Sequence, residues 1–356
     1  MSHITTAIRP CPEWKGFIQD VWIRCQDPQL IAMPQEVALA TYLMSPENRG
    51  NLQARSVPMA GKHREVEVLY TPRVLMNEIA GTVSASCPSD APTPGTKYKK
   101  YNVDETKGCE YSEAVDLRQL TENCESNMEY LARLLLRMLN GMDRKVETLL
   151  WNDMTTIPGA FAASDTNNVT GSVKTVSPYR SDGTLNRRFM SELKFSAMAA
   201  AYCGAPAYFG WGDTLMAFEE HRLGCCAQDG SDIGRAFREH RMAFFGSENA
   251  ETAFGNDFFI SLDTGAVQLI SWNMYSNSPD GDLHHADEAF HKRSTITSPL
   301  TGITYDMLWE RVCDKPVITL KFTGEVHGMP IDMFDDTDGL EGVNFANIFK
   351  VSTTGA

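Results

Sequence analysis

The chain has no CxxC pair, no proline between Gly95 and Ile157, and no uncharged run longer than the stretch from Phe195 to Gly212. Each absence removes a class. Nine cysteines are an odd number, and the adjacent Cys225 and Cys226 could bridge only with strain, so the thiols read as reduced and as small core residues. The uncharged run is broken by Gly204, Pro206, Gly210 and Gly212, whereas a membrane helix wants ~20 continuous apolar residues. Cations are in short supply: 32 Lys and Arg against 46 Asp and Glu give a net charge of −14, the opposite of a domain that grips nucleic acid through its phosphates. The opening MSHITTAIRP has no apolar signal core, which argues against secretion. GxGxxG, Walker A, HExxH and GxSxG motifs are all missing, so the common nucleotide, zinc-protease and serine-hydrolase signatures do not apply.

What is present is a foldable chain. Hydrophobic residues make up 42% of 356 positions, enough for a sizeable core, and the length suggests two domains at ~150 residues each. Prolines are crowded at one end, with ten of 17 in the first 94 residues, which forbids long helices over the first sixty. Yet that segment carries Trp14, Phe17, Val21, Trp22, Ile23, Leu30, Ile31, Val37, Leu39 and Leu43. An extended arm this apolar must lie along its own domain or on a neighbouring copy.

From Lys62 to Tyr70 the alternation of Val66 and Val68 with Glu65 and Glu67 predicts a strand. A Ser-, Pro- and Thr-rich loop (84–96) leads to a second short run, KYKKYNV (97–103), making a two-stranded excursion. Such a ribbon is marginal in water without a supporting surface. The strongest local signal follows. Between Asn123 and Asn152, Met128, Leu131, Leu135, Met138, Met142, Val146 and Leu149 recur at helical steps, widened by Leu134, Leu139 and Leu150. Thirty residues at ~1.5 Å each make a rod of about 45 Å, a spine, capped at its start by Asn123 or Thr121. Beyond it the pattern predicts a helix over 185–202, short helices capped by Asp213 and Asp232, a strand DFFISL (257–262) and a helical run AVQLISWNMY (266–275). Alternating strands follow from Ile303 to Trp309 and from Val317 to Phe322, joined by a turn at Asp314–Pro316, and a last strand spans Phe345 to Val351. The fold class is α+β, with no βαβ alternation.

Metal chemistry has one candidate. His284, His285, Glu288 and His291 cluster in HHADEAFH, but the surrounding polar stretch reads better as a solvated loop or surface helix. The acidic run Asp332, Asp335, Asp336, Asp338 and Glu341 fails as an EF-hand, because ligand positions 334 and 345 are both Phe. A metal-dependent enzyme built on the His cluster is the distant alternative, and no catalytic, cofactor or metal residue is assigned.

The order of arm, excursion, spine helix and compact β-rich unit resembles the major capsid protein of tailed bacteriophages, a fold shared with encapsulins and the herpesvirus capsid floor. VEVLYTPR (66–73) followed by 117–150 is similar to the excursion and spine of such proteins, and 206–237 with 255–275 to their axial domain. The resemblance implies an N-terminal arm (1–60), an extended loop (61–118), and a peripheral domain (119–184) to which strands from about 335–356 return. An axial domain with connecting strands would occupy 185–334. It further implies a non-enzymatic structural protein that assembles through pentamers and hexamers into an icosahedral shell around double-stranded DNA. That shell would form in the bacterial host cytoplasm and contact the genome without reading its sequence. Scaffolding, portal and decoration proteins are implied partners, and no membrane is. Lys97, Lys99 and Lys100 near the loop tip match no cross-linking motif. An encapsulin-like cellular compartment is the alternative within the same fold.

Overall fold

A computed structural model describes residues 34–49, 53–56, 65–70, 97–104, 106–115, 127–156, 174–186, 188–199, 206–212, 214–216, 218, 243–255, 257–273, 292–312, 315–328 and 346–351. Helix Asn127–Thr156 (the spine) runs thirty residues. Its start lies a few residues after the expected one, so the proposed caps at 121 and 123 fall outside the described residues. Leu131, Leu135, Met138, Leu139, Met142, Val146, Leu150, Trp151 and Met154 are all buried in one cluster. The apolar positions cover more than one side of the helix because it is covered from several directions. On one side lies a five-stranded antiparallel sheet built on strand Lys315–Gly328, and on others the short helices Ala38–Met44 and Glu248–Phe254.

That sheet runs in the order Lys292–Thr297, Thr304–Val312, Lys315–Gly328, Gly108–Ala114. The alternation read from the sequence is realised: Ile318, Leu320 and Phe322 are buried, while Lys321 between them is exposed. Strand Lys315–Gly328 overhangs its neighbour, and its last residues, Gly324–Gly328, pair with Val267–Ser271. This corrects the expected helix over 266–275. Asp263 and Thr264 turn the chain, with Ala266 N donating to Asp263 O, and Gly265 takes φ +76. The β-branched Val267 and Ile270 then fill the unpaired edge that the overhang leaves, which satisfies backbone groups a helix would not reach.

A second five-stranded sheet joins distant parts of the chain. Its order is Lys174–Val176, Ala346–Val351, Phe258–Leu262, Ala207–Gly210, Ala243–Gly246. The strand near the C-terminal end lies parallel to Lys174–Val176 and antiparallel to Phe258–Leu262. Helix Phe189–Ala199 closes a smaller core on this sheet, where Phe189, Leu193, Tyr208, Phe218 and Phe259 are buried together. Helical residues also occur at 212, 214–216 and 218, around the expected Asp213 cap, which itself lies outside the described residues, as does Asp232.

The third sheet is the excursion. Glu65–Tyr70 and Lys97–Asn102 pair antiparallel with Tyr70 opposite Lys97, and Gln53–Ser56 adds a third strand that periodicity did not reveal. Strand Gly108–Ala114, which follows in sequence, leaves the excursion and pairs with Lys315–Gly328 beside the spine.

The arm departs from the extended form expected of it over residues 34–49. A 3-10 turn at Pro34–Glu36 leads into helices Ala38–Met44 and Pro46–Arg49. Both prolines sit at the first position of their element, where no amide donor is needed, and the residues between them are free of proline. Val37, Leu39 and Leu43 are buried in the chain's own core. Residues 1–33, including Trp14, Phe17 and Trp22, lie outside the described residues.

Gly108 opens its strand where the partner backbone comes closest: a Cβ there would stand 2.0 Å from Phe322 O. Gly108→Ala is expected to push the strand off the sheet and destabilise the chain by about 1–3 kcal/mol, read as a lowered urea midpoint.

Candidate functional site

None of the residues singled out for metal chemistry can be located: His284, His285, Glu288 and His291, and the acidic run 332–341, lie outside the described residues. Among the described residues no three His, Cys, Asp or Glu side chains converge as metal ligands. Lys97, Lys99 and Lys100 lie on the outer strand of the excursion sheet, their side chains outside the described set. Of the cysteines, Cys109 is described, free and half-buried, and burial pushes its thiol up to about 11, which keeps it protonated and unreactive at neutral pH.

Two clusters that sequence reading missed hold outlying segments to the centre of the molecule. The first lies in the middle of the spine. Asp143 and Glu147 stand one helical turn apart, 1% and 0% exposed. Asp143 gathers the turn between strands Lys292–Thr297 and Thr304–Val312. Ser298 Oγ donates to its Oδ2 at 2.6 Å, and Thr301 Oγ1 and Tyr305 Oη donate to Oδ1 at 3.0 and 2.5 Å. Glu147 gathers the arm. Leu39 N donates to Oε1 at 3.0 Å and Ala40 N to Oε2 at 2.8 Å, while Trp151 Nε1 donates to Oε1 at 2.8 Å. Val37, at the N-cap of helix Ala38–Met44, has no side-chain cap of its own, so the spine supplies the missing acceptor. The sequence did carry a signal: Leu139, Asp143, Glu147 and Trp151 recur every four residues, which puts two carboxylates inside an apolar stripe.

Burial is the main force on both acids. It raises Asp143 to about 6 against the pull of the three hydroxyls, and Glu147 to about 7 against its amide and indole donors, with the neighbouring Asp143 charge adding to the rise.

The second cluster fixes the root of the excursion. Tyr101 and Val103 are buried, and the Tyr101 ring lies 4.4 Å from that of His327, centroid to centroid. Lys107 Nζ meets Glu325 Oε2 at 2.6 Å, and His327 Nε2 stands 3.2 Å from Glu325 Oε1. Asp153, near the end of the spine, accepts from Val326 N at 3.2 Å. Burial lowers His327 despite Glu325, and the Glu325 bond raises Lys107. The ion pair is half-exposed on the lysine side and contributes little by itself. Its effect is to tie residues 101–107 to both the sheet and the spine, so that the excursion leaves the body from a fixed point.

What these clusters can do is hold. The oxygens of Asp143 and Glu147 are filled by donors of the same chain, and among the described residues the large apolar groups left in contact with water are Phe195 (68% exposed), Met216 (61%), Tyr111 and Val312.

No family model matches the chain, and no curated protein does. Solved structures similar to it in chain course include proteins of phage capsids and of a virus-like particle. One is the capsid of Cyanophage A-1(L), 9% identical over 89% of this chain and 93% of that one, with a TM-score of 0.49. Another is the capsid of a native GTA particle, at 10% identity, 82% and 92% coverage and a TM-score of 0.40. A virus-like particle from Pyrococcus furiosus is 8% identical over 71% and 78%, with a TM-score of 0.36.

A folded form that keeps a proton which the unfolded chain releases is most stable in acid and loses that advantage as pH rises. For Asp143 the window runs from its ordinary value of 3.8 to about 6, and the loss is on the order of 3 kcal/mol. The urea midpoint of the unassembled chain is therefore expected to fall between pH 4 and pH 7, and Asp143→Asn to flatten that slope.

Proposed function

We propose that this chain is the shell-forming protein of a tailed-bacteriophage head, a structural protein without catalysis whose copies close into an icosahedral container for double-stranded DNA. The observation that carries this reading is the excursion sheet. Its three strands pair with one another, and among the described elements they share no broad face with the spine or with either larger sheet. A small sheet with so little behind it is marginal in water. Its root is nevertheless built with care, by Tyr101, Lys107, Glu325 and His327. An element fixed at its base, with no described element packed on it beyond that base, is suited to lie on another molecule.

The energetics favour many such contacts at once. Each square ångström of apolar surface buried between copies contributes ~25 cal/mol, so the excursion, the outer arm and exposed groups such as Phe195 and Met216 add several kcal/mol per copy. Association and ordering costs make one contact weak, and a closed shell repeats it around every subunit. In this reading residues 1–60 form the arm, 61–118 the extended loop, 119–184 with the last strands the peripheral domain, and 185–334 the axial domain. Pentamers and hexamers of one chain build the virion shell in the host cytoplasm, with scaffolding, portal and decoration proteins as partners. The net charge of −14 suits a lining that repels phosphate and lets DNA be packed and released without sequence-specific contact.

Full-length protein, expressed alone and with its scaffold, is expected to give hollow particles or five- and six-membered rings by negative-stain microscopy. Because Tyr70 faces Lys97, residues 71–96 can be replaced by a two-residue Asn-Gly turn without disturbing the strand register. That variant is expected to stay folded and to lose at least ~tenfold in particle yield, as binding energy spread over each copy is removed. A chain that remains a 39.6 kDa monomer under every condition overturns the reading.

A further inference from the structure

The segment Pro34–Arg49 is held to the body at two ends by different chemistry. At the far end the hold is neutral: Asn48 Nδ2 donates to Leu43 O and Val267 O, and Asn48 Oδ1 accepts from Gly265 N. At the near end it is a carboxylate, Glu147, on the amides of Leu39 and Ala40. Glu147 has a second carboxylate one turn away, and among the described residues neither acid is in an ion pair. Arg144, next to Asp143 in sequence, turns outward to Glu36 on the 3-10 turn.

We propose that Glu147, with Asp143 behind it, is a proton-controlled latch for this segment: protonated, it clamps the segment to the spine, and ionised, it lets the segment lift away more readily. Oε1 takes two donors, Leu39 N and Trp151 Nε1, while Oε2 takes one. A proton on Oε2 thus leaves Oε1 to keep both of its bonds and Oε2 a lone pair for Ala40 N. Without the proton, two like charges one turn apart sit in a water-free core, and their cost is relieved when the segment opens and water reaches Glu147. Apart from Asp143, itself part of the latch, the surrounding groups do not blur this response. Helix Ala38–Met44 brings only Tyr42, and the 3-10 turn brings Glu36, already engaged with Arg144. The sheet brings Tyr305, raised well above its ordinary value, and Cys109, raised to about 11, so neither changes charge between pH 5 and 9. Helix Glu248–Phe254 contributes the neutral Asn249, 3.4 Å from Thr148, and its Glu248 and Glu251 lie in its first turn. Lys145 acts on Cys109.

The inference does not depend on shell formation and is tested on the full-length, unassembled chain. Hydrogen exchange is read by mass spectrometry on peptides covering 34–49 between pH 5.5 and 8.5, each rate divided by that of an unstructured reference at the same pH. With Glu147 moving from 4.5 when open to about 7 when closed, the opening equilibrium is expected to rise roughly thirtyfold across that range. Glu147→Gln is expected to abolish the slope. Arg144→Gln, which breaks only the outer pair with Glu36, is expected to loosen the segment equally at every pH and keep the slope. Asp143→Asn, by removing the neighbouring charge, is expected to move the rise to lower pH. Opening in the wild-type chain that is flat or falls with pH overturns the latch whatever the variants do, as does a slope that survives in Glu147→Gln.

Discussion

Covering a thirty-residue helix is the constraint on which the rest of this structure depends. A rod of about 45 Å with apolar residues on more than one side cannot be sheltered by any single neighbour in a chain of this size. Elements far apart in sequence therefore converge on it: the arm near residue 40, the strand after the excursion, the helix at 248–254 and the long strand at 315–328. The two larger sheets take their positions from this demand. Strand Lys315–Gly328 serves both flanks, pairing first with Gly108–Ala114 and then, beyond the end of that strand, with Val267–Ser271.

Burying a helix on several sides also buries whatever polar groups interrupt its stripe. Asp143 and Glu147 are such interruptions, and each is made tolerable by donors from an element that must be fixed in place. The carboxylates give direction to contacts that apolar packing alone would leave free to slide, because a hydrogen bond has a geometry and a methyl contact has little. Their cost is a dependence on protons. The same reasoning applies at the excursion root, where a half-buried ion pair and a ring stack set a departure point that side-chain packing by itself would not define.

Much of the α+β layout is legible in the residues. The spine follows from the three- and four-residue recurrence of Leu and Met, and strands Glu65–Tyr70, Lys97–Asn102, Phe258–Leu262, Thr304–Val312 and Ala346–Val351 from alternation or short buried runs. Where reading failed, a long-range partner decided. Val267 and Ile270 have helical spacing, yet an unpaired strand edge made them a strand. Helix Ala38–Met44 hid among prolines because both flanking prolines mark starts and not interruptions. Strand Gln53–Ser56 has no periodicity of its own and exists through pairing with Glu65–Tyr70.

The sequence by itself determined the elements whose hydrophobic period is local, the acidic balance, and the presence of apolar surface in an arm and excursion that short segments cannot bury unaided. Tertiary structure alone decided which carboxylates enter the core, what they hold, and where the excursion leaves the body. The reason is physical: periodicity reports one residue's relation to its neighbours within a turn or a pleat. The burial of Glu147 by residues 39 and 40, or of His327 by residue 101, is fixed only when strands and helices separated by more than a hundred positions meet.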